Sequence, residues 1–135
     1  MRTRLDTWTG PSCDGVTVVL VEEHPVLLRS FAGQLAEAGA RVVAAVGTLD
    51  SGLDAVLFHR PDVAVIGNGL PDGRGVDLCR AVVQVAPRLV VLLHIAVLTR
   101  LEEMEAKEAG VAAVVPKTIR SASLVDAVVA CLGPR

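Results

Sequence analysis

Long apolar runs are missing from this chain of 135 residues: the longest, Leu89 to Leu98, is broken by His94. A bilayer-spanning helix needs ~20 consecutive apolar residues, so no membrane segment is read. Met1 to Asp14 contains no continuous apolar stretch of the kind a secretory signal requires, and a cytoplasmic location is expected. An excess of one charge is missing as well. The net charge is -2 and the arginines are scattered rather than striped, which leaves no electrostatic footprint for nucleic acid. Cysteine is scarce: Cys13, Cys79 and Cys131 are odd in number, far apart and form no Cys-x-x-Cys pair. Reduced thiols are expected and a zinc site is not. Lysine is scarcer still, with Lys107 and Lys117 the only two, and this singles out Lys117.

What remains is apolar and periodic. The hydrophobic fraction of 52% exceeds the ~45–50% usual for globular proteins, and 135 residues match one domain of roughly 100–150. Residues 1–15, with Gly10, Pro11 and Gly15, read as a flexible lead-in carrying Trp8, and residues 16–132 as the domain. Val16 to Val21 is a buried strand, and Pro25 opens a helix that Gly39 ends. Arg41 to Val46 is a second strand. Thr48 caps a helix reaching His59, and Pro61-Asp62 precedes a third strand that ends at Gly67. A helix from Gly75 to Ala86, a strand from Leu89 to Ile95 and a helix capped by Thr99 follow. Val111 to Val115 is a fifth strand, with Pro116 tolerable on a sheet edge. Ser121 to Leu132 is the last helix. Strands apolar on both faces, alternating with helices, imply an α/β fold: a doubly wound, five-stranded parallel sheet of flavodoxin-like order 2-1-3-4-5 with helices on both faces.

In such a sheet the strand ends at Glu22-Glu23, Gly67 and Lys117 converge on one crevice. Four fragments there stand in order: Val21-Glu22-Glu23-His24-Pro25, Pro61-Asp62-Val63, Leu70-Pro71-Asp72-Gly73, and Ala109-Gly110 with Lys117 seven residues later. Together they resemble the response-regulator receiver domain, in the class that precedes a LuxR-type helix-turn-helix in NarL/FixJ-like transcription regulators. The resemblance covers about residues 16–132. It implies an acidic pair and an aspartate that hold Mg²⁺, the aspartate accepting a phosphoryl group, with a Thr or Ser and an aromatic residue reporting the change. Here the acceptor position is Gly67. The hydroxyl position falls on Ile95, or on His94 if the loop differs by one residue. The aromatic position falls on Val114, and the chain has no tyrosine.

Ile95 and Val114 therefore stand as lost switch positions, and Glu22, Glu23, Gly67, Ile95 and Lys117 as a degenerate phosphorylation pocket. With one carboxylate fewer, Glu22 and Glu23 offer Mg²⁺ at most weak coordination; no metal, cofactor or catalytic residue is expected. Asp72 reads as a turn residue rather than a substitute nucleophile, and His24, adjacent to the glutamates, as no ligand. Lys117 is expected to reach a glutamate, Glu23 by preference, the alternative being a solvated acidic lip with Lys117 on the surface. The apolar positions Val97, Leu98, Leu101, Leu124, Val125, Val128 and Val129 read as a candidate interface, since an all-round apolar helix is covered on more than one side. The expected function is non-enzymatic: a phosphorylation-independent receiver that dimerises with itself or with a related regulator. DNA would be reached only through a further domain, with residues 133–135 beginning the linker to it. An effector-sensing module, with a small molecule near Ile95 to Leu98 or at the acidic crevice, is the alternative. A conventional Mg²⁺-dependent phosphoacceptor is the third reading.

Overall fold

The computed structural model describes residues 13–96, 98–117 and 121–133. Its elements are β1 (Thr17–Val21), α1 (Pro25–Glu37), β2 (Arg41–Val46), α2 (Leu49–His59), β3 (Val63–Gly67), β4 (Gly69–Leu70) and β5 (Gly73–Arg74), followed by α3 (Gly75–Val85), β6 (Val90–Ile95), α4 (Arg100–Glu108), β7 (Ala113–Pro116) and α5 (Ser121–Leu132). The main sheet runs β2-β1-β3-β6-β7, parallel throughout. β6 and β7 are its fourth and fifth strands, so the order is the doubly wound one expected. The antiparallel ladder of β4 with β5, around the turn residue Asp72, is an element the sequence pattern does not announce.

Period-2 alternation sorts the strand side chains onto two faces. Val19, Val21, Ala64, Ile66, Val91 and Leu93 pack under α2, α3 and α4, against Val56, Leu78, Val82 and Ala106. Val18, Leu20, Val63, Val65 and Leu92 pack under α1 and α5, against Phe31, Leu35, Leu124 and Val128. Each fully buried side chain of this size contributes roughly 1.5–3 kcal/mol, so the two layers carry most of the favourable free energy.

Local chemistry sets the helix ends. Thr48 Oγ1 accepts from Ser51 N at 3.1 Å and opens α2. Thr99 Oγ1 accepts from Glu102 N at 3.2 Å while Glu102 Oε1 accepts from Thr99 N at 3.2 Å, a reciprocal box that opens α4. Pro25 occupies the first turn of α1, and Gly39, at φ 98, terminates the run that follows it. Pro116 lies on β7, at the edge of the sheet.

Two expectations need correction. The lead-in is not free through residue 15: Cys13 is buried, its N–H donates to the Ala38 carbonyl at 2.8 Å, and Gly15 N–H donates to Gly39 O at 3.2 Å. Residues 1–12, Trp8 included, lie outside the described residues. Nor is α5 an exposed apolar face. Leu124, Val125 and Val128 are buried and Val129 is half-buried, because the helix sits over the sheet and against α1. Its broad apolar surface serves the core. Of the proposed interface only Leu98 and Leu101 are exposed, and Val97 lies outside the described residues.

Candidate functional site

Strand parity builds the site. Glu22 directly follows β1 and continues the face of Val18 and Leu20; Gly67 continues that of Val63 and Val65, and His94 that of Leu92. Gly67 and His94 are register partners across β3 and β6. Lys117, two residues beyond Val115, arrives on the same side from β7. The backbone fastens these ends together: Asn68 N–H donates to His94 O at 3.1 Å, and Lys117 N–H to Ile95 O at 3.0 Å.

The side chains form a buried cluster. Glu22 and His94 are each 1% exposed. Lys117 Nζ lies 3.0 Å from Glu22 Oε1, and His94 Nδ1 lies 3.3 Å from the same oxygen. Glu22 Oε2 accepts from His24 N at 2.8 Å. Neither His94 nitrogen has a hydrogen-bond partner of good geometry among the described residues, and Lys117 approaches Oε1 outside hydrogen-bond geometry. The His94 ring stands edge-on to Phe31, centroids 5.2 Å apart and planes at 83°. Burial pushes the imidazole down to about 4; the Glu22 carboxylate opposes that shift and the Lys117 ammonium reinforces it. His94 is therefore neutral at pH 7.

Gly67 completes the cluster by what it leaves out. A Cβ there would lie 2.7 Å from Glu22 Oε1 and 3.2 Å from His94 Cε1. The volume an acceptor side chain would take is filled by the glutamate head group and the imidazole. The following loop closes just as tightly: a Cβ on Gly75 would collide with the Gly67 carbonyl oxygen. Asn68 Oδ1 accepts from Val76 N at 3.2 Å at the start of α3. Asp72 accepts from Leu49 N at 2.7 Å and Asp50 N at 3.1 Å, which holds its carboxyl below the usual range and caps α2 from the hairpin. Arg74 pairs with Glu105 of α4 at 2.8 Å.

The structure thus brings Glu22, Gly67 and Lys117 together and adds His94. It corrects the pairing: Lys117 meets Glu22, while Glu23, one residue on, faces the other way and is exposed. It also settles which residue of the fourth strand fills the cluster. His94 has its ring against Gly67, whereas Ile95 is on the alternate parity and reaches the cluster only through its carbonyl. Val114 is half-buried and packs with the opposite layer. The signal for His94 was in the sequence: alternation from Leu92 and from Val65 puts His94 and Gly67 on one face.

Magnesium does not fit these residues. Glu22 Oε1 already faces an ammonium at 3.0 Å, Glu23 is exposed, and Gly67 supplies no side-chain oxygen. A hard divalent cation needs several oxygens in near-octahedral array; here its nearest neighbours would be a cation and an imidazole. Among the described residues no group of three His, Cys, Asp or Glu could hold a metal ion, and no helix is long and apolar enough to cross a membrane.

Comparison with known proteins agrees with the fold. The profile of the response regulator receiver domain matches residues 18–129. The chain is 34% identical over 114 residues to the DNA-binding transcriptional activator DevR/DosR of Mycobacterium tuberculosis, a match taking in 84% of this chain and 52% of that protein. The chain therefore spans about half the length of that relative. Among solved structures, the signal receiver domain of the response regulator NarL from Mycobacterium tuberculosis superposes with a TM-score of 0.84 at 25% identity, covering 90% of this chain and 99% of that one. The CheX-CheY-BeF3-Mg+2 complex from Borrelia burgdorferi gives 0.85 at 10% identity over 90% of this chain and 92% of that one, a likeness of fold alone.

Proposed function

The chain belongs to the response regulator receiver domain family, and we propose that it is a member that signals without phosphoryl transfer, as the regulatory and association module of a cytoplasmic transcription regulator. The observation that carries this reading is the filled acceptor position. Gly67 ends the central strand with no side chain, and Glu22 Oε1 lies 2.7 Å from where a Cβ would start. No carboxylate stands there to attack a phosphoryl donor, and none can be placed there without moving Glu22. Lys117 is already engaged by Glu22 at 3.0 Å. In this reading the Glu22–Lys117 pair holds the strand ends in one fixed arrangement, and output is set by association with a second copy or a related regulator. The relationship to a DNA-binding activator supports a transcriptional context, with DNA contacted through a domain outside this chain.

The test is direct. The chain incubated with acetyl phosphate and Mg²⁺ is expected to show no phosphoryl adduct by intact mass measurement, while a conventional receiver treated in parallel is labelled. A stoichiometric adduct on the wild-type chain would overturn the reading.

A further inference from the structure

The pole of the sheet opposite the Glu22–His94–Lys117 cluster carries an apolar surface that neither the core nor the cluster uses. Leu57, Phe58 and Val85 are exposed at the carboxyl ends of α2 and α3, Phe58 to 82%. Leu57 and Val85 line one groove with Pro87, Leu89, Arg60 and Arg88; Phe58, the residue after Leu57 on α2, is edge-on to His59. Contiguous exposed apolar surface marks an interaction site. The rim is cationic. Arg60 and Arg88 outnumber Asp62, which lines the same groove; among the described residues neither arginine has an ion-pair partner, while Asp62 Oδ2 accepts from the Thr17 N–H at 2.9 Å and the Thr17 hydroxyl at 3.1 Å.

The start of α4 presents the reverse. Leu101, 67% exposed, and Met104 share a side of the helix, with the exposed Leu98 just ahead of the Thr99 cap. The helix carries four glutamates against Arg100 and Lys107. Glu105 is tied to Arg74 and Glu102 to the cap, and with four glutamates against two cations the helix as a whole is net negative. Each surface is apolar with a charged border, and the two borders are opposite in sign.

We propose that these surfaces dock on each other between copies of this chain, the groove of one copy receiving the α4 face of the next. The contact is heterologous, head to tail, so a pair of copies leaves one groove and one α4 face free. Opposed borders set the orientation and speed the encounter more than they add affinity. The inference rests on the reading that association, not phosphoryl transfer, carries the signal, and adds which surfaces meet.

Sedimentation velocity of the 135-residue chain, from micromolar to near-millimolar concentration, tests it. The sedimentation coefficient should rise with concentration, more at low salt than at high. Phe58→Asp and Leu101→Asp alter exposed positions, so both should keep the wild-type thermal midpoint and each alone should stay monomeric. Mixed one to one they should form dimers and stop there, because the first still carries its α4 face and the second its groove. A wild type that never associates, an association indifferent to Phe58→Asp, or a mixture that stays monomeric each overturns the proposal. The phosphoryl question is decided separately by mass measurement, so the two readings fail on different results.

Discussion

Replacing Lys117 by methionine tests whether the crevice cluster is a stabilising unit. Glu22 is 1% exposed, and its Oε1 sits 3.0 Å from Lys117 Nζ. Methionine keeps much of the apolar stem but leaves a carboxylate in the interior without its cation. Breaking a buried pair from one side costs ~3–5 kcal/mol. Lys117 is itself 16% exposed, so solvent reaches towards the vacated place, and the lower end, about 3 kcal/mol, is the expected loss. Urea unfolding reads it as a lowered midpoint at constant slope. The double variant Glu22→Gln/Lys117→Met removes both charges and should lose less than the two single losses together, with a coupling of about 1–3 kcal/mol. A second readout comes from His94. Lys117 helps hold that imidazole at about 4, so Lys117→Met should raise it in an NMR titration. Two results would refute the reasoning: a loss below about 0.5 kcal/mol, typical of a surface substitution, or single losses that simply add.

Acid should weaken the fold through His94. The folded state resists a proton that the unfolded chain takes up below 6.5, so stability is complete above that pH and drains as pH falls towards about 4. At ~1.4 kcal/mol per pKa unit the limit of that loss is on the order of 3 kcal/mol. Urea melts at stepped pH should show this slope in the wild type and a flatter one in His94→Leu; equal slopes would assign the effect to other groups. Gly67→Ala should destabilise by about 1 kcal/mol, an overpacking cost of ~1–3 kcal/mol partly offset by ~0.4–1 kcal/mol from the stiffer unfolded chain. Adding Glu22→Asp, which withdraws the obstructing oxygen, should shrink the loss, and an unchanged loss would mean that Glu22 is not the obstacle.

Much of this was legible because parallel strands and helix ends announce themselves locally. The continuous apolar runs at Val18 to Val21 and Val63 to Ile66, and the punctuation at Thr48, Thr99 and Gly39, specify elements and ends without reference to anything distant. The glutamate partner was not legible from charge alone. Glu22 and Glu23 are chemically identical neighbours, and only parity against Leu20 decides which one turns inward. The last helix misled for a related reason. Its breadth of apolar residues correctly implied cover on more than one side, but sequence does not say whether that cover is another molecule or, as here, α1 and the sheet. The β4–β5 ladder escaped notice because strands of two residues leave no periodicity to read.

That small hairpin has a mechanical consequence. Asp72 grips the first turn of α2 while Arg74 grips α4, so the loop leaving the central strand is stitched to two helices on one side of the sheet. α2 is eleven residues long, about 16 Å of stiff rod at 1.5 Å per residue, and Phe58 rides near its far end. A displacement of the loop at one pole would thus bear on the helix that carries Phe58 at the other, through one continuous stretch of hydrogen-bonded backbone.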